Sequence, residues 1–137
     1  VNAQCPLAET LAAHFPHFVQ WHDELKALFA AYVERKLAQQ TLDYDDLLLY
    51  WYYLVEDERI ARDISAHFDH ILVDEYQDTN RLQADIIRRL RPDGAGLTVV
   101  GDDAQSIYGF RAAAVENILD FPTQFPGATV IKLEDNY

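Results

Sequence analysis

Apolar positions along this chain follow two spacings, one of three and four residues and one unbroken, and each predicts its own kind of element. From Phe18 onward Trp21, Leu25, Leu28, Phe29, Tyr32 and Val33 recur every three or four residues, so an amphipathic helix is expected to about residue 38, packed on a partner through that face. Residues 47–55 are apolar nearly all round, Trp51, Tyr52 and Tyr53 included, which predicts a core helix. Asp43 is its candidate N-cap, and Asp45 and Asp46 fall in the first turn, where they complement the helix dipole. Asp57 heads a shorter helix with a stripe of Ile60, Ile64 and Phe68. Ile71, Leu72 and Val73 then run without alternation, as a strand buried on both faces of a parallel sheet does. Asp78 or Thr79 is expected to cap a helix with Leu82, Ile86, Ile87 and Leu90 on one face, ended by Pro92-Asp93-Gly94. Residues 97–100 are expected to form a second strand, 115–121 a helix and 129–133 a third strand, with 1–16 as linker or partial helix. Strand, helix, strand in this order is a βαβ unit, which places the strands parallel with a right-handed crossover.

Both strands of that unit end in acids. Asp74 and Glu75 follow Val73, and Gly101-Asp102-Asp103 follows Val100. Ligands of open α/β sheets bind just outside the carboxyl ends of the strands. An isolated Asp-Glu pair is more often a solvated strand end, but two acidic strand ends side by side point to one shared site. Such acids can hold a hydrated Mg²⁺ and orient a water.

Composition narrows the chemistry. The 137 residues, 50% hydrophobic and 12% aromatic, suffice for one domain with a core. With 23 acidic against 11 basic residues the net charge is -12, which opposes broad contact with phosphate backbones, so any nucleic-acid contact must be local or rely on other parts. Cys5 is the sole cysteine, which excludes an internal disulfide, gives a cysteine-based zinc site no support and fits a reducing compartment. His14, His17 and His22 lack a carboxylate or cysteine at ligand spacing and are expected to be structural or surface residues. No apolar run reaches 18 residues and no secretory signal pattern opens the chain, so a cytoplasmic, non-membrane protein is expected.

The block Asp74-Glu75-Tyr76-Gln77-Asp78-Thr79-Asn80 and the block running from Gly101-Asp102-Asp103-Ala104-Gln105 through Ser106-Ile107-Tyr108-Gly109-Phe110-Arg111 resemble motifs II and III of the UvrD/Rep-type superfamily 1 DNA helicases. Leu42-Asp43-Tyr44-Asp45-Asp46-Leu47 resembles a block between that family's 1B and 1A subdomains, and residues 133–137 resemble the start of motif IV. The resemblance covers residues 18–137. It implies ATP and Mg²⁺ as cofactors, with Asp74 holding the metal, Glu75 orienting the attacking water as general base and Gln105 sensing the γ-phosphate. It also implies that Tyr137 stacks on adenine, that Tyr44, Tyr108 and Phe110 stack on bases of single-stranded DNA, and that Arg111 touches the DNA backbone or links it to the nucleotide. Motif III would then face both ligands, with Gln105 toward ATP and Tyr108 toward DNA. Two positions depart from the family pattern: Ala112 stands where glycine is usual, and Phe110 where some members have tryptophan.

A phosphate-binding loop needs Gly-x-x-x-x-Gly-Lys-Ser/Thr. Among five glycines only Gly96 and Gly101 have the spacing, and Asp102 and Asp103 follow them. The expected fold class is therefore α/β, a partial RecA-like P-loop NTPase core with a parallel sheet, preceded by helices of the 1B subdomain. Residues 1–43 are assigned to 1B and linker, and residues 44–137 to the second half of the 1A core. The expected parent is an ATP-driven translocase acting on single-stranded DNA and duplex junctions. The isolated chain is expected to be inactive and to self-associate through an exposed sheet edge. Two other classes stay open: a metal-dependent phosphohydrolase using Asp74, Glu75, Asp78, Asp102 and Asp103, and a non-catalytic interaction module using the aromatic face around Trp51 to Tyr53.

Overall fold

The computed structural model describes residues 5–102 and 116–133. Helix α1 (Leu7–His14) forms within the stretch expected to be linker or partial helix, with Pro6 just before its first turn. A 3₁₀ turn (Pro16–Trp21) with proline at its start leads into α2 (His22–Gln39). The helix expected from residue 18 thus begins later, because Pro16 opens a tighter turn first. Gln40 closes α2 in the left-handed conformation, φ 50°, and its N–H donates to the Leu37 carbonyl while Thr41 N–H reaches Lys36.

Helix α3 (Tyr44–Leu54) starts on a reciprocal cap: Asp43 accepts from the Asp46 N–H at 2.9 Å and Asp46 accepts from the Asp43 N–H at 3.0 Å. Lys36 reaches across from α2, its Nζ 2.8 Å from Asp43 and 2.6 Å from Asp46. Two expectations fail here. The apolar face of α2 is not covered, since Leu28, Phe29, Tyr32 and Val33 are all about half exposed or more. Nor is α3 a core helix: α5 (Arg81–Leu90) packs on one side of it, and Tyr50, Trp51, Tyr53 and Leu54 remain exposed on the rest. Burial is decided by how many neighbours an element has, and α3 has too few for its all-round apolar surface.

The core lies where α3, α4 (Glu58–Ser65) and α5 meet the sheet. Val55, Ala61, Leu82, Ile86 and Leu90 form it, with Leu48, Tyr52, Ile64 and Ile71 packed against them. Asp57 caps α4 as expected, accepting from the Arg59 N–H at 2.9 Å. The buried positions of α4 are Ala61 and Ser65, however, and Phe68 stays exposed because the helix ends before it.

Strands β1 (Ile71–Val73) and β2 (Leu97–Val99) pair in parallel, Ile71 opposite Leu97 and Val73 opposite Val99. Ile71 and Val73 turn half-buried toward the core, while Leu72 is 75% exposed, so β1 is covered on one face rather than two. Gly96 enters β2 with φ 68°, and a Cβ there would sit 2.7 Å from the Asp69 carbonyl oxygen, which reserves the position for glycine. Asn80, not Asp78 or Thr79, caps α5, because a 3₁₀ turn (Tyr76–Asp78) intervenes. Two short helices follow, α6 (Glu116–Leu119) and α7 (Phe121–Gln124). Residues 129–133 form no strand; Val130, Ile131 and Leu133 are exposed, and no described strand lies beside them to pair with. Among the described residues no helix is long and apolar enough to cross a membrane.

Candidate functional site

The site is built where the β1–β2 ladder runs out. Val100 N–H donates to the Val73 carbonyl at 2.8 Å, and Tyr76 N–H returns to the Val100 carbonyl at 2.9 Å. Between these bonds the chain makes a two-residue excursion, Asp74 and Glu75, which lifts both carboxylates to the surface at the strand's carboxyl end. Glu75 adopts φ 51° and ψ 43°. The left-handed region costs a non-glycine residue roughly 1–2 kcal/mol, so the surroundings must hold it there.

They do so through hydrogen bonds from below. Asp74 Oδ1 accepts the Glu75 N–H at 3.0 Å. Gln77, 2% exposed, donates from Nε2 to Glu75 Oε2 at 2.6 Å and accepts the Asp102 N–H on Oε1 at 3.0 Å. A Cβ at Gly101 would lie 2.4 Å from Gln77 Oε1 and 2.7 Å from Ile118 Cδ1, so the absence of a side chain there leaves room for the amide. Tyr76, 1% exposed, packs edge-on against Phe121 with ring centroids 5.6 Å apart, and burial pushes its hydroxyl pKa above the ordinary value. Asn117 on α6 donates to the Thr79 carbonyl at 2.9 Å, and the Thr79 hydroxyl donates to the Tyr76 carbonyl at 2.6 Å. Asn117 thus fastens the turn that follows the acids to α6.

Of the residues expected at the site, Glu75 through its carboxylate and Asp102 through its backbone N–H meet on Gln77, while Asp74 accepts the Glu75 N–H. Tyr44 is the first residue of α3 and is 87% exposed, so its ring is free to meet a flat partner. Asp103, Gln105, Tyr108, Phe110, Arg111, Ala112 and Tyr137 lie outside the described residues. Gln77 and Asn117 received no role from the sequence. Gln77 carried one faint signal, an amide set between acids in the block that follows the first strand; Asn117 carried none.

The acids suit Mg²⁺. That ion is held by one or two carboxylates, completed by water and phosphate oxygens, rather than by an all-protein cage. Two adjacent solvent-facing carboxylates at a strand end meet that need, and among the described residues no three His, Cys, Asp or Glu side chains gather as a cage would require. A cradle for nucleotide phosphates is a different matter, because the sequence holds no phosphate-binding loop.

Residues 6–126 match the family model of the UvrD/REP helicase N-terminal domain, and the chain belongs to that family. Its helices around a small parallel sheet accord with an α/β helicase domain. The chain is 45% identical over 113 residues to a probable DNA helicase II homolog of Rickettsia conorii, covering 82% of this chain and 17% of that protein. DNA helicase II of Escherichia coli is 41% identical over 128 residues, 89% of this chain and 18% of the relative. The ATP-dependent DNA helicase PcrA of Bacillus subtilis is 41% identical over 111 residues, 80% and 15% respectively. The chain therefore spans less than a fifth of the length of these curated relatives.

Proposed function

We propose that this chain supplies half of the nucleotide site of an ATP-dependent DNA helicase, the half that carries the water-orienting acid and the metal-holding acid. The observation that carries this is the Asp74-Glu75 excursion, raised at the carboxyl end of β1 and braced by Gln77, in a chain of the UvrD/REP helicase family. Residues 44–137 belong to the second half of a RecA-like 1A core and residues 1–43 to the 1B subdomain and linker. The blocks around Asp74 and Gly101 act as motifs II and III, and 133–137 as the start of motif IV.

Bound ATP with Mg²⁺ supplies the phosphoryl group and the positive charge that offsets its oxygens. Asp74 holds the metal, and Glu75 orients the attacking water and accepts its proton. Gln105 meets the γ-phosphate and Tyr137 the adenine. Tyr44, Tyr108 and Phe110 stack on bases of single-stranded DNA and Arg111 touches its backbone, a contact that tolerates any sequence and suits a motor stepping toward duplex junctions. With a net charge of -12, DNA is met at these few points rather than over a broad basic face. Coupling of the two ligands would run through Gln105 and Tyr108, which lie three positions apart in the sequence, one assigned to ATP and the other to DNA.

The test is Mg²⁺-dependent ATP turnover, with and without single-stranded DNA, by the full-length protein that carries this chain and by its Glu75→Gln variant. Turnover in the variant should fall by about a hundredfold or more, and the isolated 137-residue chain should show none. A Glu75→Gln protein as active as wild type would sink the assignment. DNA-dependent turnover by the isolated chain would sink its half-site form. A second function class, a non-catalytic interaction module, is favoured by one observation, the exposed Tyr50, Trp51 and Tyr53. Tight partner binding indifferent to Glu75→Gln would support it.

A further inference from the structure

Gln77 touches both strand exits at once, and its chemistry leaves one way to do so. Its partner on one side, the Glu75 carboxylate, can only accept; its partner on the other, the Asp102 N–H, can only donate. The amide is therefore fixed in one orientation, since flipping it would set oxygen against carboxylate and NH₂ against N–H. Glutamate in its place would put a second carboxylate against Glu75, and a methionine of similar length would fill the space with no hydrogen bond at either end. Packing alone does not call for an amide at a site 2% exposed.

We infer that Gln77 is a positioning residue for nucleotide hydrolysis, fixing the Glu75 carboxylate and making its placement depend on the backbone at Gly101 and Asp102. The inference rests on the proposed role of Glu75. Glu75 sits in a left-handed turn with φ 51°, so its carboxylate is aimed by the 2.6 Å bond from Gln77 rather than by regular backbone. The amide is itself anchored at 3.0 Å to Asp102, 25 residues further along the chain. A displacement of about 1 Å at the exit of β2 breaks one of these bonds or drags Glu75 with it, and misplacement on that scale costs catalysis up to about a hundredfold.

The test uses the full-length protein with Gln77→Met, Gln77→Glu, Gly101→Ala and Glu75→Gln, each checked by thermal unfolding. kcat and KM for ATP are measured, together with binding of a non-hydrolysable ATP analogue and amide exchange at Asp102. Gln77→Met, Gln77→Glu and Gly101→Ala should each lose about 10- to 100-fold in kcat, while KM and analogue affinity stay within about threefold. Amide protection at Asp102 should vanish in Gln77→Met and persist in Gln77→Glu, which keeps an acceptor there; the fall in kcat at unchanged KM and analogue affinity is what a merely structural role would not produce. A kcat near wild type in the folded Gln77 variants, with Glu75→Gln inactive, overturns the inference alone. Should Gln77→Met misfold, Gln77→Glu and Gly101→Ala decide by the same measure. A Glu75→Gln protein that keeps full turnover overturns the role of Glu75, and the inference falls with it.

Discussion

Lys36 holds the junction between the two long helices by charge where apolar burial is missing. Its ammonium bonds Asp43 and Asp46 and lies 4.6 Å from the Tyr32 ring centroid, and the Tyr32 hydroxyl donates to Asp43 Oδ2 at 2.9 Å. The Lys36 hydrogen bond, then the Asp46 N–H and the Tyr32 hydroxyl, hold the Asp43 carboxyl well below the usual carboxylate range. Hydrogen bonds to Asp43 and Asp46 push Lys36 up. A depressed carboxyl stabilises the fold above its unfolded pKa, about 4, and loses that contribution as pH falls through the folded value; a raised lysine contributes below its unfolded pKa, about 10, and loses it as pH climbs further. Lys36→Met should therefore lower stability by a constant amount from about pH 5 to about pH 9, and the gap to wild type should narrow progressively as pH falls below about 4. Urea unfolding from about pH 9 down to about pH 2 checks this; a gap that does not narrow at all between about pH 4 and about pH 2 would mean that lost packing, not the ion pair, is responsible. At this scale Asp74 and Glu75 were legible because acids directly after an apolar run stand out locally. The bond between Gln77 and Asp102 was not, because its partners lie far apart along the chain.

Elements were legible where their cause is local and illegible where it is a neighbour. The cap of α3 could be read from Asp43 and Asp46 because the hydrogen bonds span three residues. The cap was expected at Asp78 or Thr79, but the 3₁₀ turn consumes the first, and Asn80, the one cap residue here with a glutamine three positions on, closes a box with Gln83 at 2.9 and 3.0 Å. Asn80→Ala should accordingly destabilise the fold by about 1 kcal/mol, whereas Asp78→Ala should change it little, which denaturant unfolding separates. Equal losses would return the cap to the earlier position. The parallel pairing of β1 and β2 was likewise legible, since strand, helix, strand admits few arrangements. Whether Leu72, Trp51 or Leu28 would be covered was not, because their periodicity records only that each is apolar. Residues 129–133 make the same point: a β-prone run becomes a strand only beside a partner.

For the whole molecule, the described residues combine a small core with much uncovered apolar surface. Trp21, Phe29, Tyr32 and Val33 toward the N-terminus, Trp51 and Tyr53 on α3 and Leu72 on the open face of β1 are each 45% exposed or more, and each sheet strand has one edge with no described strand beside it. Surfaces of this kind associate. A net charge of -12 acts against association, since every copy repels every other. The two effects respond oppositely to salt: repulsion between exposed charges is screened over a shorter distance as ionic strength rises, whereas apolar attraction is not. The isolated chain should therefore self-associate with increasing protein concentration, and more strongly at about 0.5 M than at about 0.02 M salt. Leu72→Lys, which places a charge on the open face of β1, should weaken that association. Sedimentation equilibrium at both salt levels measures it. A monomer at both would mean that repulsion or the exposed backbone geometry keeps these faces apart, and the expected sheet-edge association would be wrong; association unaffected by Leu72→Lys would move the contact to the aromatic face of α3.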